Sequence, residues 1–243
     1  MIRALLIVAA LCSGCSPAGE EQGPGPEPPR EASSPPSADG SKKQPPTRGD
    51  ANSITYDAIP DESVLYVVVR RDPEALGSSL SHDHVVHASG WRGTIIHSPD
   101  RPELCSVELE IEVAGLVADD PTLRERAELP DGPSSRDRRE IEANLRAEGQ
   151  LDAARHPAIR FASRSVARGG DGLVVRGELS IRGRTREIEV PVEVSVSGDV
   201  LMASGRFEAT HSDFGFEPYS AMLGALRNDQ ALEFAFEVRA KAR

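Results

Sequence analysis

Cysteine is scarce in this chain, with three residues (Cys12, Cys15 and Cys105) among 243. That is too few for the disulfide framework of a small secreted domain. A membrane-spanning apolar run is missing at the start as well. The opening "MIRALLIVAALCSGCS" has one cation, Arg3, then the apolar residues Ala4 to Leu11, then small side chains. A spanning helix needs roughly 20 apolar residues, so this is the plan of a cleaved secretory signal. No GxSxG elbow surrounds a serine and no glycine-rich loop joins a strand to a helix. The motif-based case for a serine hydrolase or a nucleotide-binding domain therefore fails. Positive charge is also in deficit, 28 Lys and Arg against 39 Asp and Glu, for a net charge of -11. Such a chain is a poor partner for nucleic acid or for anionic lipid through charge alone.

The end of the leader, "LCSGC", resembles the lipobox of bacterial lipoproteins, with Cys15 as the residue to be acylated and Cys12 where that family usually has leucine. The resemblance implies a signal over residues 1–14 and several acyl chains on Cys15, a durable anchor where one chain would be marginal. Cys12 then leaves with the signal, Cys15 carries lipid, and Cys105 remains alone, with no internal disulfide to make. Without a catalytic-cysteine signature around it, Cys105 is expected to be a small buried hydrophobe. Residues 15–53, including "GPGPEPPREASSPPSADG", are rich in proline and almost devoid of apolar side chains. They are expected to form a disordered tether leading to one domain over residues 54–243.

In that domain the dominant period is two. "SVELEIEVAG" puts Val107, Leu109, Ile111 and Val113 on one face and Glu108, Glu110 and Glu112 on the other, the pattern of a half-buried strand with a solvated carboxylate row. "GELSIRGRTREIEVPVEVSV" repeats it through Leu179 and Ile181, a turn at Gly183, and Ile188, Val190, Val192, Val194 and Val196. "LEFAFEVRA" closes the chain with Leu232, Phe234, Phe236 and Val238 on one face. With "SVLYVVVR", "GWRGTIIH", "AIRFASRSV", "GLVVRG" and "LMASGRFEAT" these make about eight short strands, and short turns between them predict an antiparallel sheet closed on itself. Residues 119–154 break the pattern: charged, helix-forming, with a capping signal at Ser134 and Asp137 and a thin stripe of Ile141 and Leu145. They predict a surface helix over one end of the barrel.

"SHDHVVHASGW" raises the question of a metal. In an extended strand His82 and His84 project from one face and His87 from the other, so no regular geometry gathers all three. The fixed spacings of zinc motifs are absent, and a site would need the pair His82 and His84 completed by His97, His156, His211 or a carboxylate. The residues otherwise read as a polar rim.

Several segments together resemble the YceI family. "DAARHPAIRFASRSV" carries His156, Pro157, Ile159, Phe161 and Ser163; "VRGELSIRGRTREIEVPVEV" carries Gly177, Leu179, Gly183 and Val190; "HSDFGF" carries Asp213, Phe214 and Gly215. The likeness covers residues 54–240. It implies an all-β, eight-stranded antiparallel lipocalin-like barrel, exported to the periplasm or cell surface, which in some members holds a polyisoprenoid or similar amphiphile. His211 stands where many members have arginine, and a mostly neutral imidazole cannot replace a guanidinium clamp on an anionic head group. The expected function is non-catalytic lipid binding with no cofactor, the ligand contacting Phe161, Leu179, Ile181, Val192, Phe207, Phe214, Phe234 and Phe236, with Trp91, Tyr219 or the rim histidines near its polar end. Composition alone leaves a core filled by its own side chains equally open.

Overall fold

Alternating sequence becomes twelve β-strands that make eight staves in a computed structural model describing residues 52–243. The leader, Cys15 and nearly all of the expected tether lie outside the described residues. Strands β1 (Ile54–Ala58) and β2 (Val64–Arg71) are the halves of one bent stave, β3 (His84–Ala88) and β4 (Trp91–His97) of a second, and β5 (Ser106–Glu112) and β6 (Leu116–Ala118) of a third. Four unbroken staves follow: β7 (Ala158–Gly169), β8 (Gly172–Ile181), β9 (Arg184–Ser197) and β10 (Val200–Thr210). The short β11 (Ser220–Ala221) only bridges to the eighth stave, β12 (Leu226–Ala242).

Each stave pairs antiparallel with the next in sequence, and the ring is closed by β12. Its end pairs with β1 (Tyr56 opposite Ala242) and its middle with β2 (Val67 opposite Phe234). Closure satisfies the backbone donors and acceptors that an open edge would leave unpaired. The result is the expected lipocalin-like barrel, and it lies within a single compact unit, Gln44–Arg243.

The two ends of the barrel differ. One end has tight turns at residues 170–171 and 198–199 and receives the chain at Ser53. The other carries the long connections, residues 72–83, 119–157 and 211–225, together with the two-residue turn Arg182–Gly183. The long insertion does two jobs. Helix α1 (Pro121–Arg126), capped by Asp120, helps lay Leu123 and Leu129 on the outer wall against Val68 and Val85. Helix α2 (Ser135–Arg146) starts where Ser134 Oγ accepts from the Asp137 N–H at 3.3 Å. Its Ile141 and Leu145 pack on the main core cluster, so the thin stripe does cover one end.

A buried ion cluster pins this insertion. Asp119 is fully buried, and its carboxylate accepts from His84 Nδ1 at 2.7 Å, from the Val85 N–H at 3.2 Å, and from the Arg124 guanidinium. Arg124, itself 4% exposed, also donates to the carbonyls of Pro130 and Asp83. Burial by itself raises the Asp119 pKa, but the bonds from His84, Val85 and Arg124 outweigh it and hold the carboxyl below its ordinary range. Asp119→Ala strands a buried guanidinium and should cost about 3–5 kcal/mol in urea unfolding. A loss below about 1 kcal/mol would show that the cluster does not hold the insertion.

Candidate functional site

Inward-facing side chains of this barrel do not meet across its axis. Phe161, Phe207, Phe234 and Phe236 all point inside yet are only half-buried, because they face a cavity of about 350 Å³. That volume is at the lower end of the usual range for small-molecule sites and suits a slender ligand. A core filled by its own side chains is therefore not what the sequence builds. Backbone clearance explains part of the space and shape. A Cβ on Gly177 would stand 2.5 Å from the Phe161 ring and one on Gly205 2.7 Å from that of Phe236, so both phenyls occupy space that only glycine leaves free. Phe207 and Phe234 stack with ring centres 4.6 Å apart, extending one aromatic wall.

The lining is apolar along most of its length, from Cys105 and His97 near the tight-turn end to Leu145 and Phe216 beneath α2. Most polar groups gather at the loop end, in His84, Asn144, Gln150, His211, Tyr219 and Asn228, while His97 and Glu108 border the cavity elsewhere. Tyr219 belongs to the lining and is 41% exposed, which marks the mouth. Among the described residues no lysine or arginine lines the cavity. His211 supplies no charge in its place: burial pushes its pKa down, against the opposing pull of the Gln230 carbonyl, Asp229 and Glu217. A neutral His211 donates from Nδ1 to the Gln230 carbonyl at 3.1 Å, leaving Nε2 as an acceptor, and its ring makes an edge contact with Phe216 at 5.1 Å between centres.

With that geometry in view, likeness to known proteins becomes decisive for the family. The model of the YceI-like domain matches residues 68–239. The chain belongs to the YceI-like family. Among solved structures this YceI-like chain is similar to BcnA of Burkholderia cenocepacia, with a TM-score of 0.56 and 16% identity over 75% of this chain and 98% of that one. A polyisoprenoid binding domain from Saccharophagus degradans gives 0.52 and 13% over 78% and 99%. A YceI protein of Campylobacter jejuni gives 0.50 and 14% over 65% and 84%. At these identities the likeness speaks for the fold. No curated protein matches the sequence.

Of the residues expected to meet a ligand in this YceI-like barrel, Trp91, Phe161, Leu179, Ile181, Val192, Phe207, Tyr219, Phe234 and Phe236 line the cavity. Phe214 does not. It is fully buried in the core cluster at the loop end, on the 3-10 turn His211–Phe214, and Phe216 stands on the wall in its place. Strand alternation gave no guide there, because the turn breaks the period of two. His211, Cys105 and the helix residues Ile141 and Leu145 were likewise not among the expected contacts, although the Ile141 and Leu145 stripe was visible as a helical face.

His84 and His87 separate to opposite faces of β3, as extended geometry requires, but His82 precedes the strand and does not join His84. His84 faces the cavity with Nδ1 committed to Asp119, His82 is exposed, and His87 is absent from the lining. Among the described residues no group of three or more His, Cys, Asp and Glu is placed to hold a metal ion. Cys105 is buried at the far end of the cavity, where it accepts from the Ser98 N–H at 3.2 Å, and burial raises its thiol pKa.

Burial lowers the pKa of His87, His97 and His211 alike. Below the ordinary imidazole value the unfolded chain therefore binds protons that the folded chain does not. Stability should be greatest above about pH 7 and fall as the pH drops from there through the lowered folded values. His211→Phe removes one such site and should flatten the slope by up to about 1.4 kcal/mol per pH unit. Unfolding curves between pH 5 and 8 check this, and an unchanged slope would contradict it.

Proposed function

We propose that this YceI-like protein is a non-catalytic envelope carrier that holds a long-chain, uncharged amphiphile, an isoprenoid in the first instance, tail inward in its barrel. The observation that carries the reading is the cavity itself, a mainly apolar space closed around its axis with most of its polar groups at the loop end. Hydrocarbon transferred from water to such a wall gains roughly 25 cal/mol per Å² of area buried. The polyisoprenoid binding named for the S. degradans domain, which shares the fold, points to the same ligand class. The charge state of the ligand follows from the lining. A carboxylate or phosphate head placed inside would meet no cation and a neutral His211, so a hydroxyl head that donates to His211 Nε2, or a carbonyl head that accepts from Asn228 or Tyr219, fits better.

Export and anchoring belong to the same proposal. The leader and the "LCSGC" cysteine support a lipoprotein held through acylated Cys15 at a membrane facing the periplasm or the cell surface. Net charge would contribute nothing to an acidic chain's residence there.

Trp91 is the one tryptophan of the chain and stands on the cavity wall, so its emission reports occupancy. In the Gln44–Arg243 form, a neutral isoprenol should change that emission saturably, and at least about ten-fold more tightly than the corresponding phosphate, since each 1.4 kcal/mol of head-group mismatch is a factor of ten. Val107→Phe, which adds bulk on the wall, should abolish the change while circular dichroism stays native. Silence of Trp91 toward every long-chain ligand, or a preference for the phosphate, would contradict the proposal. The same occupancy should slow alkylation of Cys105, the one cysteine of that form.

A further inference from the structure

The loop end carries an apolar surface that packing within the barrel does not explain. Leu76 and Leu80, between β2 and β3, are 99% and 76% exposed, and Met222 and Leu223, between β11 and β12, are 72% and 109% exposed. Backbone ties the two loops together. The Gly77 N–H donates to the Ala225 carbonyl at 2.8 Å, and a Cβ at position 77 would stand 2.8 Å from that same oxygen, so glycine permits the approach. The four side chains thus share one tip. Met222 and Leu223 moreover hold φ of 50° and 56°, a region that residues with large side chains avoid. The backbone is strained there and the side chains gain no internal contact to offset it.

Two observations say what covers this tip. First, it is the rim of the cavity mouth: Tyr219 lies on the same loop, and Asn228 just beyond it, and both line the cavity. A surface docked on the tip is a surface presented to the opening. Second, its charges repel the commoner partners. Asp72, Glu74, Asp83, Glu217 and Asp229 flank it, against Arg70, Arg71 and Arg227. All three cations are engaged, Arg227 by the Asp72 carboxylate, Arg70 by the Asp83 and Glu233 carboxylates, and Arg71 by the Ser81 carbonyl at 3.1 Å. Nothing here attracts an anionic head group, while exposed leucines and methionine on an uncharged crest suit the headgroup and acyl boundary of a zwitterionic bilayer.

We propose that the tip of Leu76, Leu80, Met222 and Leu223 inserts into a zwitterionic lipid surface and that the cavity exchanges its ligand there; this rests on the carrier reading above. The chain enters the barrel at the opposite end. From Cys15 to Ser53 it is long enough, at about 3 Å per extended residue, to span roughly 100 Å. An anchor at Cys15 would therefore leave the mouth free to turn to the membrane.

The test uses the Gln44–Arg243 form, which holds every described element and has no leader. It should float with phosphatidylcholine vesicles and do so equally at low and high salt. The double variant Leu76→Ser, Leu223→Ser should bind those vesicles at least about ten-fold more weakly, since two exposed leucines supply much of the buried area. It should also take a fluorescent isoprenol from vesicles at least ten-fold more slowly, while accepting the same isoprenol from ethanol with an unchanged Trp91 response. Flotation or transfer equal to that of the parent would overturn the proposal. So would binding that requires anionic lipid and vanishes in high salt, or a dimer in sedimentation that the double variant dissociates, which would give the tip to a second copy. Failure of both forms to take isoprenol from ethanol would instead overturn the carrier reading, and flotation tells the two failures apart.

Discussion

Everything in this molecule depends on closing the sheet. An open sheet of this length would leave rows of backbone donors and acceptors bare, and β12 removes them by pairing with both halves of the first stave. Closure then dictates where side chains go. In a ring of alternating residues one set must converge on the axis, and eight staves leave just enough width for a ligand or for packed side chains. Here the converging set is valine, isoleucine, leucine and phenylalanine, with glycine at positions 177 and 205 letting two rings lie back against the wall. The cavity results from that choice of residues.

Polar groups are arranged around this apolar tunnel with different tasks. On the outer wall arginines and glutamates from neighbouring strands pair in solvent, as in Arg176 with Glu189 at 2.6 Å and Glu110 with Arg160 at 2.9 Å. Such pairs contribute little to stability singly. The cluster of Asp119, His84 and Arg124 is a different case because it is buried, and it ties the insertion carrying α2 to the strand that carries His84. One residue of the rim, His84, thereby links the cavity wall to the element that covers it.

The fold was largely legible in the sequence, and the reason is physical. A period of two in Leu232, Phe234, Phe236 and Val238, or in Val107, Leu109 and Ile111, specifies which face is buried wherever one side meets solvent, and short turns specify that neighbours are antiparallel. The Gly183 turn and the Ser134 cap were readable for the same local reasons. What escaped was set by tertiary context. Phe214 sits on a 3-10 turn where alternation stops, so its packing into the core instead of the cavity has no periodic signature. The partnership of His84 with Asp119 joins residues 35 apart in sequence. An apolar residue count cannot separate a filled barrel from a hollow one, because that difference lies in register and in the clearance over Gly177 and Gly205.

The central claim is that the hollow barrel holds a long, uncharged amphiphile. Native mass spectrometry of the protein recovered from cells, followed by denaturation and organic extraction of the same sample, tests it most directly. The account predicts a stoichiometric mass excess that leaves with the solvent and belongs to a neutral long-chain lipid. A bare polypeptide mass that persists after incubation with isoprenoids would contradict it.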